Sequence, residues 1–200
     1  MEFQHVNVKL FVKNPHEVDP AALIPVFHKW IQEQASGELL LDVADYRHVR
    51  SGPGVVLIGH HGNYSLDNTG GRWGVRYNRK GPLEGTNRDR LLQATHAALA
   101  AAKRMEEEPS LDRRIQFNGH EIEVFINDRL LAPNTPETRV AADSEFRGLF
   151  SVLFGDIEYS MSYAQDSRSL FSVYARTAEP FDMALLLNKV NLPVTASPQG

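Results

Sequence analysis

The chain has no cysteine. Disulfides, thiolate zinc sites, iron–sulfur clusters and cysteine nucleophiles are therefore excluded by chemistry, and the redox compartment has no marker. No apolar run approaches the roughly 18 residues that a membrane-spanning helix needs. The opening MEFQHVNVKLFVKN lacks the basic start and continuous apolar stretch of a secretory signal, so no membrane association and a cytoplasmic location are expected. There is no surplus of positive charge either. Lys and Arg number 21 against 25 Asp and Glu, a net charge of −4. That balance argues against a general nucleic-acid binder, because non-specific affinity for phosphate backbones comes from accumulated Lys and Arg.

What is present is ordinary globular material. Hydrophobic residues make up 42% of 200 residues and charged residues 23%, enough apolar surface for a real core. One compact domain spanning residues 1–200 is expected. Val6, Val8 and Leu10 alternate with Asn7, Lys9 and Phe11, which is strand periodicity. Asp19 and Pro20 then open a helix with Leu23, Val26, Phe27, Trp30 and Ile31 on one stripe. Pro25 requires either a kink or a regular helix that begins near Leu23, and Gly37 is expected to close it. LLLDVADY and GVVLIGHH read as strands, RWGVRYN as a further one, and Thr86 or Asn87 caps a long helix reaching Met105.

The pattern then restarts. RIQFNGHEIEVFIND reads as a hairpin with Asn118-Gly119 at its tip, and LLAPNTPETRVAA as a linker. DSEFRGLFSVLFG supplies a helix, DIEYSMSYAQ and LFSVYAR two strands, and EPFDMALLLNKVN a closing helix. Phe146, Leu149 and Phe150 follow Phe27, Trp30 and Ile31 by 119 residues, and Phe171 follows Val55 by 116. This near-constant offset predicts an α+β fold of two tandem strand-helix-strand-strand units. They form antiparallel-rich sheet covered by helices and are related by a pseudo-twofold duplication. The halves are expected at about 1–108 and 109–192, with 193–200 a flexible tail.

Chemistry concentrates between Gly59 and Arg90. Arg72, Arg76, Arg79, Lys80, Arg88 and Arg90 fall within nineteen residues against only Glu84 and Asp89, a local charge of +4. With the helix opening near Thr86, this suggests a site for a small anion, with Arg72, Arg76, Arg79, Lys80 and Thr86 as its residues. Alternation would put Arg72, Arg76 and Lys80 on one strand face. His60 and His61 could in principle join His48, Asp45 or Asp67 around a metal. Adjacent strand residues point to opposite sides, however, and HEIE at His120 shares only two letters with the metalloprotease motif, so no metal is assigned. No nucleotide fingerprint or nucleophile elbow occurs, so no cofactor is called for. Asp42 and Asp45 fall on opposite faces of one strand and do not form a coupled pair. Asp42 is the more notable, a carboxylate between Leu41 and Val43 on what reads as a central strand. Tyr159, Met161 and Tyr163 share a face, either inward or toward a partner.

Two functional classes follow. The first is a noncatalytic binding, regulatory or assembly protein taking a small anionic ligand or a protein partner, with homo-oligomerisation left open. The second is an enzyme acting on a phosphorylated or carboxylated small molecule. There, Arg72 and Arg76 would hold the anion and His60, His61 or Asp67 would move the proton.

Overall fold

Strand periodicity dominates the architecture. The computed structural model describes residues 1–34 and 36–190, so the predicted tail at 193–200 lies outside the described residues. It contains β1 (Val6–Val12), β2 (Leu40–Tyr46), β3 (Gly54–Gly59), β4 (Gly62–Asp67), β5 (Gly74–Arg79), β6 (Phe117–Ile126), β7 (Tyr159–Tyr163) and β8 (Phe171–Thr177). The helices are α1 (Leu23–Glu33), α2 (Asn87–Glu107), α3 (Pro136–Phe154) and α4 (Met183–Lys189). All eight strands form one antiparallel sheet in the order β2-β3-β4-β5-β1-β6-β8-β7. The fold is α+β, and among the described residues no helix is long and apolar enough to cross a membrane.

One face of the sheet is apolar from edge to edge. Val8 stands opposite Tyr77 on one side and Val124 on the other, and the row continues through Tyr64 and Leu57 in one direction and Val173 and Tyr163 in the other. The helices bury this face. Phe27 and Trp30 of α1 and the alanine- and leucine-rich side of α2 join the same core cluster. Phe146 of α3 packs on Phe171 at 5.9 Å between ring centroids, and Phe150 on Tyr159 at 5.8 Å. The inward alternative for Tyr159, Met161 and Tyr163 therefore holds.

Local chemistry explains the element boundaries. The Asp19 carboxylate accepts the Ala21 N–H at 3.0 Å to cap a 3-10 turn over Pro20–Ala22, and regular helix starts at Leu23. Pro25 thus falls in the first turn, where an N–H would have no intrahelical partner. The helix stops earlier than Gly37 suggested, because Gln34 takes the left-handed conformation (φ 45°) and its side chain donates to the Ile31 carbonyl at 2.7 Å. Thr86 and Asp89 form a reciprocal capping box on α2. The expected linker at 130–142 is partly helix. Thr135 caps, Pro136 occupies the first helical position, and α3 gains two turns.

The Asn-Gly hairpin does not form. β6 runs on as a single strand, with Asn118 Oδ1 accepting the His120 N–H at 2.9 Å and Gly119 at φ 65°. The pairing slips there, since Leu10 faces Ile122 while Val12 faces Phe117, so the extra residues bulge instead of reversing the chain. The Gly119 carbonyl accepts the Phe181 N–H at 2.5 Å, so the bulge ties β6 to the approach of α4. GNYSLD adds a strand, β4, between GVVLIG and RWGVRYN. Asp42 lies on the edge strand β2, exposed, and its carboxylate accepts the neighbouring Val43 N–H at 2.7 Å.

Both halves leave a central strand through a helix, reach a sheet edge and return toward the centre by an antiparallel meander. The first half returns over β2, β3, β4 and β5, the second over β7 and β8. The strand beside β1 is therefore β5, not the β3 that the sequence offset pairs with β8.

Candidate functional site

The basic run after Gly71 enters β5, and the alternation of that strand divides it. Val75, Tyr77 and Arg79 face the helices, whereas Gly74, Arg76 and Asn78 face the other way. Arg72 precedes the strand with the parity of Arg76 and joins it on the open face. Lys80 lies beyond the strand, where its ammonium donates to the Gly59 carbonyl at 2.7 Å. Thr86 serves as the cap of α2. The five predicted anion-site residues are thus distributed over two sheet faces and a helix terminus.

On the helix side, a cavity of about 420 Å³ lies between α1, α2 and the β3–β4 turn. Trp30, Tyr64, Ala97 and Ala100 give it apolar walls, and Glu38, His61, Arg79 and Arg104 contribute charged and polar groups. It exists because α2 presents alanines there, where larger side chains would fill the space. The Arg79 guanidinium donates to the carbonyls of Gly81 at 2.8 Å and Pro82 at 3.0 Å, and no described carboxylate pairs with it. Glu38 folds over the turn, one carboxylate oxygen accepting the N–H groups of His61 at 2.9 Å and Gly62 at 2.8 Å. Glycine is required at position 62, since a Cβ there would lie 2.6 Å from the Tyr77 ring. Burial, reinforced by the Glu38 charge, pushes the Tyr64 phenol well above its ordinary range, so it remains a neutral donor. Three buried polar atoms of the lining residues, the Trp30 indole nitrogen, Gln93 Oε1 and Arg104 Nε, have no hydrogen-bond partner among the described residues.

On the open face, Lys9 and Asp67 form a buried ion pair at 2.6 Å, with side chains 4% and 1% exposed. Asp67 also accepts the Thr69 N–H and hydroxyl at 3.1 and 2.8 Å, and Arg76 approaches it at 3.5 Å. Burial lowers the Lys9 pKa despite the opposing attraction of Asp67. Arg72 bonds Glu121 and lies 3.9 Å over the Phe11 ring. Both open-face arginines therefore already have carboxylate partners.

The acid–base candidates are not assembled. His60 and His61 occupy the β3–β4 turn with ring centroids 4.5 Å apart, while Asp67 ends β4 five residues after Gly62. At roughly 3.3 Å per residue that is about 17 Å along the strand. Among the described residues no group of three or more His, Asp or Glu is placed to hold a metal.

Sequence reasoning missed Lys9, Glu38, Gln93 and Glu123 as site residues and placed Trp30 in the core only. A charged residue between Val8 and Leu10, in a mainly apolar strand, was the available signal for Lys9. Nothing local marks Glu38 or Gln93, which become neighbours only when α1, α2 and the β3–β4 turn converge. Compared with known proteins, the chain matches no family model and no curated sequence.

Proposed function

We propose that the protein is a noncatalytic binding protein whose helix-side cavity takes a small organic anion with a flat, apolar body. One observation carries this reading. Arg79 brings to a cavity with Trp30 and alanine walls a guanidinium that donates to the main-chain carbonyls of Gly81 and Pro82, lies beside the Tyr77 hydroxyl and has no ion-pair partner among the described residues. A cation without an ion pair attracts a carboxylate or phosphate, the one lining carboxylate, Glu38, being engaged by the His61 and Gly62 N–H groups, and a volume of about 420 Å³ falls within the range of small-molecule sites. The unpartnered Trp30 N–H and Gln93 Oε1 add a donor and an acceptor that a ligand could orient against. Noncatalytic binding is favoured because the histidines and Asp67 are separated and Asp67 is occupied by Lys9 and Thr69.

We also read the two halves as products of duplication, the first having gained a hairpin. Two features support this: the shared path from central strand to edge and back, and the direct pairing of Val8 with Val124 at an offset of 116 residues.

Thermal shift with benzoate, benzamide, phenyl phosphate and acetate tests the binding reading, since a ligand of the native state raises the midpoint by mass action. Benzoate or phenyl phosphate should stabilise the protein and the neutral benzamide should not. Arg79→Gln should abolish the shift, as should Ala100→Trp, which fills the cavity while keeping Arg79. An equal shift in wild type and both variants, or no shift with any anion, overturns the proposal.

A further inference from the structure

Arg76, Lys9, Glu123 and Tyr174 stand directly opposite one another on β5, β1, β6 and β8. Lys9 leaves this row, turning its ammonium to Asp67 and to the Thr69 carbonyl at 3.2 Å. Arg76 crosses over β1. Its Nε donates to Asn78 Oδ1 at 2.7 Å and its guanidinium carbon lies 4.4 Å from the centre of the Phe125 ring on β6. The guanidinium therefore comes to rest two residues from Glu123 along the same strand.

Glu123 is half-buried and makes no hydrogen bond or ion pair with any described residue, although Lys9 and Arg76 both feel its charge. A cavity of about 330 Å³ opens over Arg76, Glu123 and Phe125, walled by Leu170 and Ser169 of the β7–β8 loop. Beside it the sheet holds more polar atoms than the described residues satisfy. Asn7, between Asn78 and Phe125, is fully buried with neither amide atom bonded, and so is the hydroxyl of Ser65 opposite Arg76. A simple anion entering here would meet Glu123 and Asp67, and a simple cation would meet Lys9 and Arg76. Only a ligand carrying both signs a short distance apart matches each charge with its opposite.

We propose that this open-face cleft binds a small zwitterion, an α-amino acid. The outer N–H groups of Arg76 receive its carboxylate, Glu123 receives its ammonium, and its side chain rests against Phe125 and Leu170. The arginine is pre-organised for the role, because stacking on Phe125 and bonding to Asn78 fix its plane. Glu123, with no hydrogen-bond or ion-pair partner among the described residues, is free to accept the ammonium.

Calorimetry on the full chain with free amino acids, each at up to about 10 mM, tests this, alongside N-acetylalanine and alaninamide. Small free amino acids should bind. Removing either ligand charge, by acetylation or by amidation, should weaken binding by at least about tenfold. Glu123→Gln should lose affinity for alanine, and Arg76→Lys, which keeps charge but not the planar fork, should also weaken it, with circular dichroism confirming that both variants fold. The proposal is overturned if no free amino acid binds, if alanine and its two blocked derivatives bind alike, or if Glu123→Gln binds alanine as the wild type does.

Discussion

Replacing Asp67 with Asn isolates the energetics of the open face. The substitution preserves shape and leaves an oxygen for the Thr69 N–H, but removes the charge facing Lys9 across 2.6 Å. Lys9 is only 3% exposed, so its ammonium cannot turn to water for compensation. Breaking a buried pair from one side costs about 3–5 kcal/mol, against a total stability of about 5–15 kcal/mol for a typical domain. At roughly 2–4 °C per kcal/mol for a chain of this size, the melting temperature should fall by about 10 °C. The double variant Lys9→Met, Asp67→Asn should recover most of the loss, because the cost lies in the stranded charge and not in the missing bond. The pH dependence follows with its own sign. Burial, the largest influence, lowers the Lys9 pKa below 10.5 in the folded state. Between that lowered value and 10.5 the unfolded chain holds a proton the folded chain has released, so this group's contribution to stability rises with pH. Without Asp67 the folded pKa drops further and the rise begins at lower pH. Urea unfolding followed by circular dichroism should therefore show the single variant gaining on the double variant as pH rises toward 10.5. A loss below about 1 kcal/mol, or a gap that stays constant with pH, refutes the reasoning.

Two further outcomes are expected. Tyr163 donates to Asp143 at 2.9 Å, and burial together with that bond pushes its phenol up to about 12. Its raised value contributes stability below pH 10 that is lost as pH climbs toward 12. Ultraviolet titration should show Asp143→Asn moving one tyrosine back toward its ordinary range, and an unchanged titration curve counts against the assignment. At the sheet edge, the Asp42 carboxylate engages the Val43 N–H and puts a charge where another strand would pair. Asp42→Val should self-associate more strongly than the parent in sedimentation velocity, and identical sedimentation would show that Asp42 does not guard the edge.

The fold was legible where periodicity and caps agree. Val6, Val8 and Leu10, the α2 stripe from Leu91 to Ala102 and the aromatics of α3 are all buried as their spacing implies. The errors have local causes. Asn118-Gly119 carries the strongest short hairpin signal, yet the same positive-φ tolerance serves a bulge once β1 and β8 compete for the strand. Gln34 terminates α1 by a side-chain bond to Ile31 that no composition rule anticipates. Asp42 reads as a central-strand carboxylate because strand order cannot be read from a single sequence, and the same two apolar neighbours fit an edge. The site was legible as a basic segment but not as a place, since alternation separates Arg76 from Arg79 and the groups that meet each lie on distant elements.

That separation is the physical reason one charged segment can support two chemically different sites. Three residues along a strand reverse the side-chain direction, so Arg76 and Arg79 emerge on opposite sides of the sheet. On the helix side, α2 offers alanines, the Arg79 guanidinium bonds to carbonyls, and no described carboxylate forms an ion pair with it. On the open side the neighbours are themselves ionic strand residues, so charge must be matched in pairs. Asp67 answers Lys9 and, at 3.5 Å, one edge of Arg76, Glu121 answers Arg72 and Arg176, and Glu123 remains over. An isolated cation selects for net charge, whereas a cation and an anion held apart select for the spacing of charges within a neutral molecule. Titrating either cleft with ligands of the wrong class therefore probes the sheet's alternation as directly as it probes binding.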